Sequence, residues 1–198
     1  EIGLLSNLTV LELSNNAVRG NIPEHMYLLT NLEEIYLYKN NLQGNISPAI
    51  GNLNRLRKLH MSHNQITGPI PLSMRSQNEI RSYEYINFYS NRMTGTIPES
   101  LRWRKLFFLD LGRNSFSGTL PYDLGERFVA LRSLHLSHNN FVGTLPDSYI
   151  NAGNGRVTDI SIEYNQLTGA VPGDHWYKNV LLSFTLHENL FSDRLDKD

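Results

Sequence analysis

A single short frame recurs eight times along this chain, and that recurrence leaves few folds open. Residues 131–146 read LRSLHLSHNNFVGTLP, residues 8–23 LTVLELSNNAVRGNIP, residues 56–71 LRKLHMSHNQITGPIP and residues 106–121 LFFLDLGRNSFSGTLP. The shared frame is L-x-x-L-x-L-x-x-N-x-L-x-G-x-I/L-P. Its asparagines are Asn16, Asn40, Asn64, Asn91, Asn114, Asn139, Asn165 and Asn189, separated by 24, 24, 27, 23, 25, 26 and 24 residues. A unit that short cannot bury an apolar side alone. Stacked copies can, so the chain is expected to be a continuous stack of coils.

Within a coil, the last two leucines of L-x-x-L-x-L alternate, which points them inward and their neighbours outward on a short strand. The asparagine follows where the chain must turn. Its amide both donates and accepts, so the eight asparagines are expected to form a ladder that satisfies backbone groups. The glycine permits a close or left-handed backbone, and the I-P pair fixes an extended segment.

The period and the G-x-I-P ending resemble the plant-specific subclass of leucine-rich-repeat proteins, as found in the ectodomains of receptor-like kinases and receptor-like proteins. That resemblance implies an α/β repeat solenoid: a right-handed superhelix of about eight 23–27-residue coils with a parallel concave β-sheet. It also implies a second, smaller sheet formed by the extended I-P segment, and a convex return of irregular or helical turns. The expected organisation is one leucine-rich-repeat domain over residues 1–198. Family members usually close their ends with cysteine pairs. This chain has no cysteine, and residue 1 already lies inside a coil pattern, so the expectation is a piece of a longer solenoid without its caps, with a family branch capped differently as the alternative.

Composition narrows the chemistry. Without cysteine there is no disulfide and no thiolate metal site. A formal charge of −1 gives no reason to expect a nucleic acid or an anionic membrane as partner. No run of 18 apolar residues occurs, so no membrane-spanning helix is expected within these residues. Two N-glycosylation signals, Asn7-Leu8-Thr9 and Asn45-Ile46-Ser47, make Asn7 and Asn45 candidate acceptors.

Departures from the frame carry their own expectations. Ile46-Ser47-Pro48 slips the proline by one place. The return after Pro71 carries three extra residues and is expected to bulge. The next return, ESLRWRK, is one short, and Trp103 is expected to fill a core slot normally held by leucine. Residues 151–156, NAGNGR, read as a loop. Coil eight has Asp193 and Asp196 in place of the glycine and proline, and its tail reads as solvated.

The outward strand positions define the face that can act on something else. Tyr36, Tyr38, His60, His63, Tyr85, Tyr89, Phe108, Arg113, His135 and His138 fall there and are the expected ligand-binding residues. Exposed aromatics beside histidine and arginine are what binding hot spots are built from. Cross-strand packing of aromatics is the competing explanation. Five of the seven histidines lie on this face, which predicts an affinity that changes between about pH 5 and 8.

Catalysis and metal binding are weaker readings. Asp110, His135 and Ser161 share one column, but an open sheet offers neither a pocket nor an oxyanion hole. The pairs His60/His63 and His135/His138 are three coils apart, about 14 Å, too far for one metal ion. No catalytic residue, metal or cofactor is expected. By resemblance the chain is a non-catalytic recognition module for a protein, peptide or small ligand, extracellular or in the secretory pathway. A scaffold subunit of a larger, intracellular or organellar complex and a secreted enzyme inhibitor are the alternatives.

Overall fold

The computed structural model describes residues 2–75, 83–149, 152, 156–171 and 181–192. Every coil contributes two strands: β1 (Val10–Glu12) and β2 (Arg19–Asn21), β3 (Glu34–Tyr36) and β4 (Asn41–Asn45), β5 (Lys58–His60) and β6 (Gln65–Gly68), β7 (Tyr85–Asn87) and β8 (Arg92–Gly95), β9 (Phe108–Asp110) and β10 (Ser115–Thr119), β11 (Ser133–His135) and β12 (Asn140–Thr144), β13 (Asp159–Ser161) and β14 (Gln166–Gly169), β15 (Ser183–Thr185) and β16 (Leu190–Phe191). The odd-numbered strands form one eight-stranded sheet in chain order, and the even-numbered strands form a second. Both are parallel throughout. The solenoid expected from the repeat is therefore what forms.

Register follows the frame. The central residue of each odd strand pairs with its counterpart in the next coil: Leu11 with Ile35, then Leu59, Ile86, Leu109, Leu134, Ile160 and Phe184. These side chains make an inward column, buried from Leu11 to Ile160, while both neighbours on each strand face out.

The second sheet differs from the expectation in two ways. It has as many strands as the first, and they run through x-L-x-G-x rather than through I-P. Proline has no N–H, so hydrogen-bonded pairing stops before it.

Among the described residues the returns include short 3-10 turns at Ile2–Leu4, Glu24–Leu28, Pro48–Asn52, Leu72–Met74 and Asp147–Tyr149 and the α-helical turn α1 (Leu124–Arg127). The slipped proline has a local role. It moves Ser47 to the cap of the Pro48–Asn52 turn, where its Oγ accepts the Ala49 N–H and donates to Glu24. Trp103 fills the core as expected. It is 1% exposed, stacks on Phe128, meets Tyr83 edge-on, and donates its Nε1–H to Met74 O at 2.8 Å. The three-residue insertion after Pro71, most of the 151–156 loop, and residues 193–198 lie outside the described residues.

The asparagines form the expected ladder. In coil two, Asn40 Nδ2 donates to Leu37 O of its own coil and Leu13 O of the preceding one, and its Oδ1 accepts the Val18 N–H. The same three bonds recur at Asn64, Asn91, Asn114, Asn139, Asn165 and Asn189. Among the described residues the Asn16 side chain bonds only Leu13 O and Ser14 O of its own coil.

One backbone feature is absent from any pattern of residue types. The residue before each ladder asparagine is left-handed, with φ between 50° and 56° in all eight coils. These residues are Asn15, Lys39, His63, Ser90, Arg113, His138, Tyr164 and Glu188.

Candidate functional site: the outward face of the first sheet

The odd strands hold their outward side chains one coil apart, so like positions form straight columns. Across coils two to six the rings touch in sequence. His60 stacks on Tyr38 at 4.3 Å between centroids and meets Tyr36 and Tyr85 edge-on. Tyr85 stacks on Phe108 at 4.6 Å with the planes 7° apart, and Phe108 meets His135 edge-on. Six of the ten expected binding residues thus form one continuous strip. His63 and Tyr89 make a separate edge contact, and His138 stacks on Tyr164, which meets His187. Arg113 stands apart, exposed, with no ring contact or ion pair among the described residues.

Cross-strand pairing and exposure coexist here. Several ring faces are spent on one another, which stabilises the sheet. What remains outward is a floor of ring edges, hydroxyls and imidazole nitrogens. Gly112 is part of that design. A Cβ there would lie 3.2 Å from Asp110, Ser137 and the Tyr89 ring, so its missing side chain lets Tyr89 lie across the face.

His135 is clamped. Its Nε2 lies 2.7 Å from Asp159 Oδ2, and its Nδ1 lies 3.6 Å from Asp110 Oδ2. Burial opposes the charged imidazolium, but the hydrogen bonds and charges of Asp110 and Asp159 outweigh it, and the pKa is pushed up to about 9. His60 goes the other way, because burial lowers its pKa against weaker pulls from Asp110 and Glu12. The two imidazoles therefore carry different charges at pH 7. The change expected between pH 5 and 8 does not apply to His135, which keeps its proton throughout.

The Asp110–His135–Ser161 row does not form a relay. Ser161 Oγ donates to Glu163 and accepts from Thr185, and His135 is turned to two carboxylates. His60 Nε2 is 2.8 Å from Ser62 Oγ. Among the described residues no cluster of three or more His, Asp or Glu side chains is arranged to hold a metal ion. No helix among them is long and apolar enough to cross a membrane.

One flanking column escapes a reading confined to the strands. Just before them, Arg57 pairs with Glu33 at 2.8 Å and Glu84 at 3.5 Å, while Lys58 pairs with Glu34 at 3.0 Å. Glu34 also accepts from the Tyr36 hydroxyl at 2.7 Å. The acidic edge of the strip is thus already neutralised from within. Extending the columns by one position would have exposed the alternation Glu33, Arg57, Glu84 in the sequence.

Of the glycosylation candidates, both Asn7 and Asn45 are exposed. Asn45 lies over Gly68 (φ 75°) of the next coil and accepts a hydrogen bond from Thr67.

A stack of coils with two parallel sheets, an asparagine ladder between coils and an open outward face defines a repeat-solenoid protein. Family models described as leucine rich repeat match residues 6–66, 105–126 and 130–151, and the chain belongs to the leucine-rich-repeat family. It is 31% identical over 104 residues to pollen receptor-like kinase 2 of Arabidopsis thaliana, covering 52% of this chain and 15% of that protein. It is 36% identical over 95 residues to receptor-like protein 35 of the same plant, covering 47% and 10%. Among solved structures, it superposes on the Arabidopsis receptor kinase HAESA, in complex with the peptide hormone IDA and the co-receptor SERK1, with a TM-score of 0.88 and 30% identity. That match covers 97% of this chain and 31% of the other. The chain thus spans a minor part of the length of the proteins it resembles.

Proposed function

We propose that this chain is a non-catalytic, extracellular recognition module that takes a peptide along the outward face of its first sheet. The observation that carries the proposal is the continuous strip Tyr36, Tyr38, His60, Tyr85, Phe108 and His135, held one coil apart by strands whose turns are locked by the asparagine ladder. Such a surface is preorganised, so little ordering cost falls on the protein when a ligand binds. The likeness to receptor-like proteins, and to a receptor structure solved with a peptide hormone, supports a peptide as occupant and the cell exterior as location. The engagement of His135 and Ser161 with separate carboxylates speaks against hydrolytic chemistry on this face.

Panning a displayed library of linear 12-residue peptides on the chain tests this reading, with counter-selection on a Tyr38→Ala/Tyr85→Ala variant. Enriched peptides should bind the native chain at least tenfold tighter than the variant. Binders indifferent to both substitutions, from a folded variant, would place recognition elsewhere. An N-glycosidase-sensitive mass at Asn45 or Asn7 in material secreted from a eukaryotic host is the companion expectation.

A further inference from the structure

The left-handed column carries the inference. A positive φ strains any residue with a Cβ; glycine is free of that strain, while asparagine, aspartate and histidine bear it best. Eight coils impose this conformation, yet Lys39, Arg113 and Tyr164 occupy it where asparagine would fit with less strain. Backbone outliers filled by unsuited residues point to a role for the side chain rather than for the turn. In coils two to six the column reads Lys39, His63, Ser90, Arg113, His138, with no carboxylate.

Its charges are also unspent. Lys39 and Arg113 are exposed and enter no ion pair among the described residues. In coils two to seven the carboxylates nearest the strip stand elsewhere and are already engaged, Glu33, Glu34 and Glu84 by Arg57 and Lys58 and Asp110 and Asp159 by His135, while Glu12 of coil one, in register with Tyr36, accepts only the Ser14 N–H among the described residues. From coil two to coil six the face therefore has one self-neutralised acidic edge and one basic edge open to a partner.

We infer that this edge selects an extended acidic peptide, with Lys39 and Arg113 each receiving a carboxylate; the inference rests on the peptide-binding reading above. Three coils separate the two cations, about 14 Å at the strand spacing. An extended peptide repeats its side chains on one face every second residue and advances about 13 Å in four. Carboxylates at positions i and i+4 of the ligand meet both cations, and the intervening residues lie over Tyr38 and Tyr89.

The probes are three capped, fluorescein-labelled nonapeptides in one Leu/Pro/Ser background. One has Glu at positions 3 and 7, one has Glu at 3 and 6, and one has Gln at 3 and 7. Fluorescence anisotropy should rank the 3,7-Glu peptide at least tenfold tighter than the Gln peptide, with the 3,6-Glu peptide between them. Lys39→Asn/Arg113→Asn should remove that preference while leaving the thermal midpoint unchanged or higher, because the strain is relieved. Affinity and stability then move independently, which loss of folding cannot mimic. Equal binding of the Glu and Gln peptides, both weakened by Tyr38→Ala, would overturn the charge selection and leave the peptide site standing. Absence of binding by all three would overturn both. A dimer in sedimentation velocity that the Asn variants abolish, without peptide binding, would assign the edge to a second copy and also overturn the inference.

Discussion

Replacing Asn114 by alanine tests the device that fixes the columns. Asn114 Nδ2 donates to Phe88 O at 2.9 Å and Leu111 O at 3.1 Å, and its Oδ1 accepts the Met93 N–H at 2.9 Å. Nδ2 also donates to Gly112 O at 3.1 Å, so a simple count would orphan four backbone groups. The ladder is redundant, however, because the carbonyls are shared. Phe88 O also accepts from Asn91, Leu111 O also accepts from Asn139, and Gly112 O also accepts the Ser90 N–H. Only the N–H of Met93, a residue with no exposed surface, loses its acceptor. One buried unsatisfied donor costs about 1–3 kcal/mol, whereas the additive count would approach four times that. Urea unfolding should therefore show a lower midpoint at unchanged slope, worth about 2 kcal/mol. Native-state exchange of the Met93 amide should accelerate roughly thirtyfold for that energy. Asn16→Ala is the internal control: the Asn16 side chain is exposed and bonds only its own coil, so its loss should cost less than about 0.5 kcal/mol. A cost under about 0.3 kcal/mol at Asn114, or equal costs at both positions, would refute the ladder argument.

Two further expectations rest on buried charge. The pKa of His135 is raised from its ordinary 6.5 to about 9, so the fold favours the protonated form. Its stabilisation is complete below about pH 6.5 and is lost as pH rises through about 9. The gap in thermal midpoint between native chain and His135→Gln should therefore be widest near pH 6 and narrow by pH 10; a gap constant across that window would contradict the clamp. Arg127, 2% exposed, pairs with Asp123 at 2.9 Å and donates to the carbonyls of Pro98, Glu99 and Leu101. Arg127→Ala should cost about 3–5 kcal/mol in urea unfolding, since it leaves a carboxylate and three carbonyls without their cation; an effect of surface size would mean the arginine is not structural.

Most of the fold is legible in the sequence because the repeat states the same physics eight times. Apolar alternation and the turn asparagine recur at fixed offsets in every coil, and the proline in six of the eight, so chance agreement is removed by repetition. Trp103 was legible for the same reason: a known slot had an unusual occupant. The second sheet was misplaced by a few residues. An extended backbone is readable from I-P, but which extended residues hydrogen-bond depends on the neighbouring coil, and proline withdraws its N–H there. Arg127 was not legible. It occupies a return where no frame position specifies a charge, and only the folded chain brings Asp123 and three carbonyls around it.

The candidate site divides the same way. Which residues point outward follows from period two and could be read directly. What those residues do to one another could not, because it depends on distances across strands. His60 and His135 occupy the same slot three coils apart, yet one is stacked on a tyrosine and the other is clamped by two aspartates. A column reading treats them as equivalent, whereas their surroundings give them opposite pKa shifts. The left-handed column presents the converse case. Its conformation is common to all eight coils, so the backbone alone distinguishes none of them, and what differs along the column is the side chains it carries. Lysine and arginine there gain nothing from the turn they occupy and have no ion partner within the described fold. That combination, a residue type disfavoured by its own backbone and a charge left open, is what the proposed acidic-peptide edge rests on.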